Sequence, residues 1–233
     1  MFNEGDVNLN KIIRNLVHEV VRIKSSGTHS ITGTLIDVGD DIIVLFNGKE
    51  FMYISIDHIQ NFDVDRDILD DIESPTGFPS IIAQDTNKDL SLEEVVTQAI
   101  GTFVEIYVTG DQPLYGHITS VMNDYFVFQS PVYQTMYISL HHLKWLIPYT
   151  QIKKPYGLDN YPIPVQANKE LLASAFDAQV EKFKNKIVVF NISGNKSYLG
   201  KLNDFEDQII EIQTVKTHPI YLNFKHIKTM HQV

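Results

Sequence analysis

The chain has no cysteine, which removes disulfide scaffolds, cysteine-ligated zinc and thiol nucleophiles from consideration. It lacks any apolar run long enough to span a membrane. Met1 to Asn10 is polar and acidic instead of fit for a secretory signal, so synthesis in a cytosol and no membrane association are expected. Basic residues are also scarce: 19 Lys and Arg against 29 Asp and Glu leave a net charge of −10, the wrong sign for a protein that binds nucleic acid by neutralising phosphate. What is present is a globular composition, 43% hydrophobic and 21% charged, enough for 233 residues to bury a core.

Self-similarity organises the rest. Three segments end alike: Tyr53-Ile-Ser-Ile-Asp-His58-Ile59, Tyr137-Ile-Ser-Leu-His-His142-Leu143 and Tyr221-Leu-Asn-Phe-Lys-His226-Ile227, with successive His residues 84 positions apart. Upstream of each stand two glycines separated by five residues: Gly27 and Gly33, Gly110 and Gly116, Gly194 and Gly200. Ser26, Thr109 or Ser193 precedes the first glycine, and apolar runs lie before that at Val20 to Ile23, Phe103 to Ile106 and Ile187 to Phe190.

Each run is led by an amphipathic stretch. Leu9, Ile12, Ile13, Leu16 and Val17 share a spacing with Leu92, Val95, Val96, Ala99 and Ile100, one face of a helix. Ser91 and Glu94 form a capping box that starts the second helix. Leu172, Phe176, Val180 and Phe183 give the third a less regular face. Beyond the second glycine the period becomes strand-like; together with the apolar run before the first glycine this predicts strands at 20 to 25, 32 to 38, 42 to 46, 51 to 55 and a short piece around His58. Gly39-Asp40-Asp41, Met122-Asn123-Asp124 and Glu206-Asp207-Gln208 mark equivalent turns, and Asn47-Gly48 reads as a type I′ hairpin.

The expected fold is mostly β with short helices (α+β): three tandem units, each an N-terminal helix followed by a small bent five-stranded antiparallel barrel. The modules are placed at 1–61, 91–147 and 168–233. An acidic, Pro-containing linker at 62–90 and a Pro- and Tyr-rich linker at 148–167 separate them. Residues 1–90 carry 16 acidic and 7 basic groups, 91–165 carry 6 and 3, and 166–233 carry 7 and 9. Solvated faces account for this gradient, though it also suits head-to-tail association of chains.

Motifs for chemistry fail on spacing. His18-Glu19 lacks the second His of a zinc-protease helix, because position 22 is Arg22. Gly194 to Gly200 with Lys201 has one residue too many for a phosphate loop, and Leu202 replaces the magnesium-binding hydroxyl. Asp63, Asp65 and Asp67 begin like a calcium loop but continue with Ile68 and Ser74 where Gly and Glu are required; Asp85, Asn87 and Asp89 fail likewise. His58, His142 and His226 could meet on a metal if the modules formed a ring, but imidazoles beside an apolar Ile or Leu at a strand end more readily satisfy backbone groups. His141 is special to the middle copy. No catalytic residue, cofactor site or metal site is assigned, and no enzyme is expected.

Helix followed by five bent strands is also the layout of Sm-like domains, and Gly33-Thr-Leu35-Ile-Asp-Val38 resembles the start of their first motif. At the family's uridine-pocket positions, however, this chain has Gly39 and Ile43, Met122 and Phe126, Glu206 and Ile210. Where its Arg-Gly pair belongs stand Ile56-Asp57, Leu140-His141 and Phe224-Lys225. The chain is more similar to the N-terminal region of the outer spore coat protein B family of endospore-forming Firmicutes. That region has three tandem units of this length, each with the spaced glycines and a closing aromatic, short strand and His-Ile or His-Val. Residues 9 to 231 carry the likeness. The family's Gly-Gly-Pro-Glu-Ser loop is replaced by Ser26-Gly-Thr-His-Ser30, and its Ser- and Lys-rich tail linked to phosphorylation is not expected in a chain ending at Val233.

The resemblance implies a non-enzymatic structural protein, made in the mother cell and assembled into the spore coat through other coat proteins or self-association. The alternative is an Sm-like nucleic-acid-binding or regulatory module, of phage origin for instance. The repeat-defining residues Gly27, Gly33, Gly110, Gly116, Gly194, Gly200, Tyr53, Tyr137, Tyr221, His58, His142 and His226 are expected to be structural.

Overall fold

The computed structural model describes residues 11–26, 30–64, 75–77, 79–82, 89–109, 112–149, 155–157, 171–192 and 196–233. The predicted linkers fall largely outside them, as do Gly27, Gly110 and Gly194 and, of the calcium-like runs, Asp65, Asp67, Asp85 and Asn87. Among the described residues, fifteen strands form one antiparallel sheet, with three short helices: α1, described over 11–14, α2 (Leu92–Gln98) and α3 (Phe176–Glu181). The expectation of three helix-led Sm-like barrels is therefore wrong. Two of the fifth strands, those that should have closed the second and third barrels, take as a neighbour the fourth strand of the preceding repeat in place of the fourth strand of their own. The ladder thus continues where a barrel would have closed.

The chain divides into two compact units, one of residues 1–98 with 144–148 and the other of 99–143 with 149–233. In the first, β1 (Val20–Ser25), β2 (Ser30–Val38), β3 (Ile42–Phe46), β4 (Phe51–Ser55) and β5 (Ile59–Val64) are joined by β10 (Trp145–Tyr149), in the order β10-β4-β3-β2-β1-β5. The continuous apolar run Ile42 to Phe46 makes β3 buried at every position. The capping box forms, with Ser91 N–H donating to Glu94 Oε2 and Glu94 N–H to Ser91 Oγ, both at 3.3 Å. Asn47-Gly48 does not make a type I′ turn: Gly48 has φ 92° but Asn47 is not left-handed. A longer loop forms in its place, with Asn47 Oδ1 accepting from Lys49 and Glu50 N–H.

The second unit contains β6 (Phe103–Tyr107), β7 (Leu114–Val121), β8 (Tyr125–Ser130), β9 (Gln134–Ser139), β11 (Ile187–Phe190), β12 (Tyr198–Glu206), β13 (Ile209–Gln213), β14 (Ile220–Asn223) and β15 (Thr229–Gln232). Their order is β14-β13-β12-β11-β15-β9-β8-β7-β6. A core of Tyr125, Val127, Phe176, Val180, Phe183, Phe190, Leu202 and Met230 joins α3 to β8, β11, β12 and β15.

Candidate functional site

The second glycine of each pair answers to a close backbone approach. Gly33, Gly116 and Gly200 sit in β2, β7 and β12, where a Cβ would lie less than 3.0 Å from the carbonyl oxygen of Phe46, Gln129 or Gln213 on the next strand. A register shift follows in each strand, between Leu35 and Asp37, Ile118 and Ser120, and Leu202 and Asp204. These bulges bend the strands.

The histidines each belong to a one-turn 3₁₀ segment, Ile56–His58, Leu140–His142 or Phe224–His226. His58 Nδ1 lies 3.4 Å from Ser26 Oγ, His142 Nε2 lies 3.0 Å from the Lys225 carbonyl oxygen, and the His226 carbonyl accepts from Asn191 Nδ2. Among the described residues no group of three or more His, Asp or Glu side chains is placed to hold a metal.

The residues just beyond these turns build the most distinctive geometry, a strand junction made once in each unit. In the first unit Trp145 of β10 lies opposite Ile54 of β4 and Leu146 opposite Tyr53. Ser55 N–H donates to the Lys144 carbonyl at 2.9 Å, and the Lys144 ammonium donates to the Ser26 carbonyl. In the second unit Thr229, Met230 and His231 of β15 lie opposite Ile138, Tyr137 and Met136 of β9. Ser139 N–H donates to the Lys228 carbonyl at 3.0 Å, and Lys228 Nζ reaches Thr109 Oγ1 at 3.4 Å. Burial lowers the pKa of Lys228.

Each junction is paired with a helix. Asp41 Oδ1 accepts from Leu92 N–H at the start of α2, at 2.7 Å, and Asp124 Oδ1 accepts from Phe176 N–H at the start of α3, at 2.8 Å. Burial raises the Asp41 pKa, and the hydrogen bond from Leu92 works against that rise. Below the helices the tyrosines are satisfied. Tyr53 is fully buried, its hydroxyl accepting from Ile81 N–H at 2.8 Å and donating to Ile81 O at 2.9 Å. Tyr125 O–H donates to Ala173 O at 2.7 Å. Tyr221 has no such cover and is 64% exposed. This arrangement joins strands and helices.

A family model described as the YwrJ third domain matches residues 175–230, from the start of α3 into β15. YwrJ of Bacillus subtilis (strain 168), an uncharacterized protein, is 35% identical over 215 residues, covering 91% of this chain and 94% of its own length. The chain belongs to the YwrJ family. Spore coat protein B of the same organism is 24% identical over 145 residues, which cover 62% of the chain and 36% of that protein. The resemblance to a spore coat protein is thus present but partial, and family membership rests with YwrJ.

In this YwrJ-family chain the lysines are what sequence reasoning missed. Lys144 and Lys228 occupy the same place after His142-Leu143 and His226-Ile227, where the first repeat has Gln60. A lysine set inside an apolar segment was the available signal: Lys144 is only 8% exposed.

Proposed function

We propose that the chain is a non-enzymatic structural protein that assembles with other proteins in a bacterial spore coat. The carrying observation is the similarity over 145 residues to spore coat protein B. The geometry supports the reading, because the recurring Tyr, Gly and His positions serve backbone approach, hydrogen bonding and strand addition. The partners are other coat proteins or further copies of the chain. A net charge of −10 works against nucleic acid as a ligand. Among the described residues no helix is long and apolar enough to cross a membrane. The protein would be made in the mother cell and deposited on the forespore.

Quantitative mass spectrometry of purified spores and vegetative cells tests this proposal. Enrichment in the coat fraction, with synthesis confined to sporulation, is expected. Abundance in vegetative cells together with absence from washed spores would contradict it.

A further inference from the structure

Among the described residues, two strands have only one partner each and stand at the ends of the strand order: β5, which pairs with β1, and β14, which pairs with β13. We propose that a second copy of this chain fills these edges, the β5 edge of one copy adding to the β14 edge of another. The inference needs only the strand edges and stands whether or not the chain resides in a coat.

The occupant is identified by a pairing that the chain makes with itself twice. The fourth strand of the first repeat, β4, takes up β10, and that of the second, β9, takes up β15. β14 is the fourth strand of the third repeat and β5 the last strand of the first. They are the one donor and one acceptor of this pairing left over. Burial follows the pairing: β4 and β10 are buried over most of their length, whereas β5 and β14 contain no buried residue. Ile42 and Tyr125, both fully buried, correspond to Ile209, which is 41% exposed.

The internal junctions also set the register. Ile54 and Ile138 oppose Trp145 and Thr229, so Leu222 should oppose Asn61 of the second copy, and Tyr221 should oppose Phe62. Asn223 N–H should donate to the Gln60 carbonyl, as Ser55 and Ser139 N–H donate to Lys144 and Lys228. The charged anchors are missing from this third junction. Gln60 stands in place of the lysine, and Gln208 in place of Asp41 and Asp124. The contact therefore rests on backbone bonds and apolar cover, and added salt should leave it in place. Because the two edges differ, the contact is heterologous and propagates into a ring or an open chain.

Sedimentation of the intact chain over a wide concentration range tests the proposal. A mass rising above that of the monomer is expected. Asn223→Pro should weaken association at least tenfold, because φ at Asn223 is already −77° and the substitution removes the outward N–H with little backbone strain. Tyr221→Lys, at an exposed position, should weaken it without threatening the fold, while Val215→Ser, a fully exposed apolar residue outside the strand, should not. Since the chain has no cysteine, mixing Asn61→Cys with Leu222→Cys chains should give a disulfide-linked dimer. Monomer mass at every concentration would overturn the proposal. So would association that survives both Asn223→Pro and Tyr221→Lys, or cross-linking no greater than that of Asn61→Cys with Val215→Cys.

Discussion

Tyr53 and Tyr221 open the same short motif on equivalent strands, yet the first is fully buried with its hydroxyl bonded twice to Ile81 and the second is 64% exposed. Local sequence does not separate them. What differs is arrival: β10 pairs with β4 and α2 starts on Asp41, whereas among the described residues nothing pairs with the outer edge of β14. Burial in this molecule is thus conferred on a repeat by the segment that follows it. Tyr137 shows the same rule from the other unit, lying half-buried beside β15.

The sharpest way to break this comparison is to truncate its two tyrosines. Tyr53→Ala should cost about 3–5 kcal/mol, the usual range for a buried aromatic, while Tyr221→Ala should stay within about 0.5 kcal/mol. Urea unfolding of the two variants measures the difference.

Acid should erode the cover on Tyr137. His231 lies on the covering strand β15 and His117 on β7, and burial holds both pKa values below the ordinary 6.5. Below about pH 6.5 the unfolded chain binds more protons than the folded one. Stability is therefore full above that value and declines as pH falls toward the depressed folded values, by at most about 1.4 kcal/mol per pH unit for each histidine. Urea midpoints measured from pH 7.5 downward should fall, and His117→Phe should flatten the decline.

A smaller effect separates Asp41 from Gln208. Asp41→Ala should cost about 1 kcal/mol through loss of the cap on α2, measured as a shift in thermal midpoint. Asp41→Asn should cost less, because an acceptor remains and a partly desolvated charge is removed. Gln208→Ala should leave the monomer unchanged.

Much of the local structure was legible. Apolar alternation and turn residues located β1, β3 and β4 within a residue or so, and Ser91 with Glu94 marked the start of α2, because these depend on neighbours in sequence. Asn47-Gly48 misled because the left-handed preference of Gly48 was real while the loop was longer than two residues. The larger error concerned β10 and β15. Alternation shows that a strand has an apolar face, but it does not show which edge the strand joins. Closing a barrel and extending a sheet use the same sequence pattern, and the difference lies in contacts such as Ser55 to Lys144 that span many residues. Lys144 and Lys228 escaped notice for the same reason, since their acceptors Ser26 and Thr109 lie in a different repeat.

The central claim is that β14 carries an edge already used twice within the chain, and amide hydrogen exchange at Asn223 as a function of protein concentration tests it most directly. Ser55 and Ser139 N–H should be protected at every concentration, because their acceptors belong to the same chain. Asn223 N–H should exchange freely in dilute protein and become protected as concentration rises. Exchange at Asn223 that is independent of concentration, while Ser55 and Ser139 remain protected, would contradict the account.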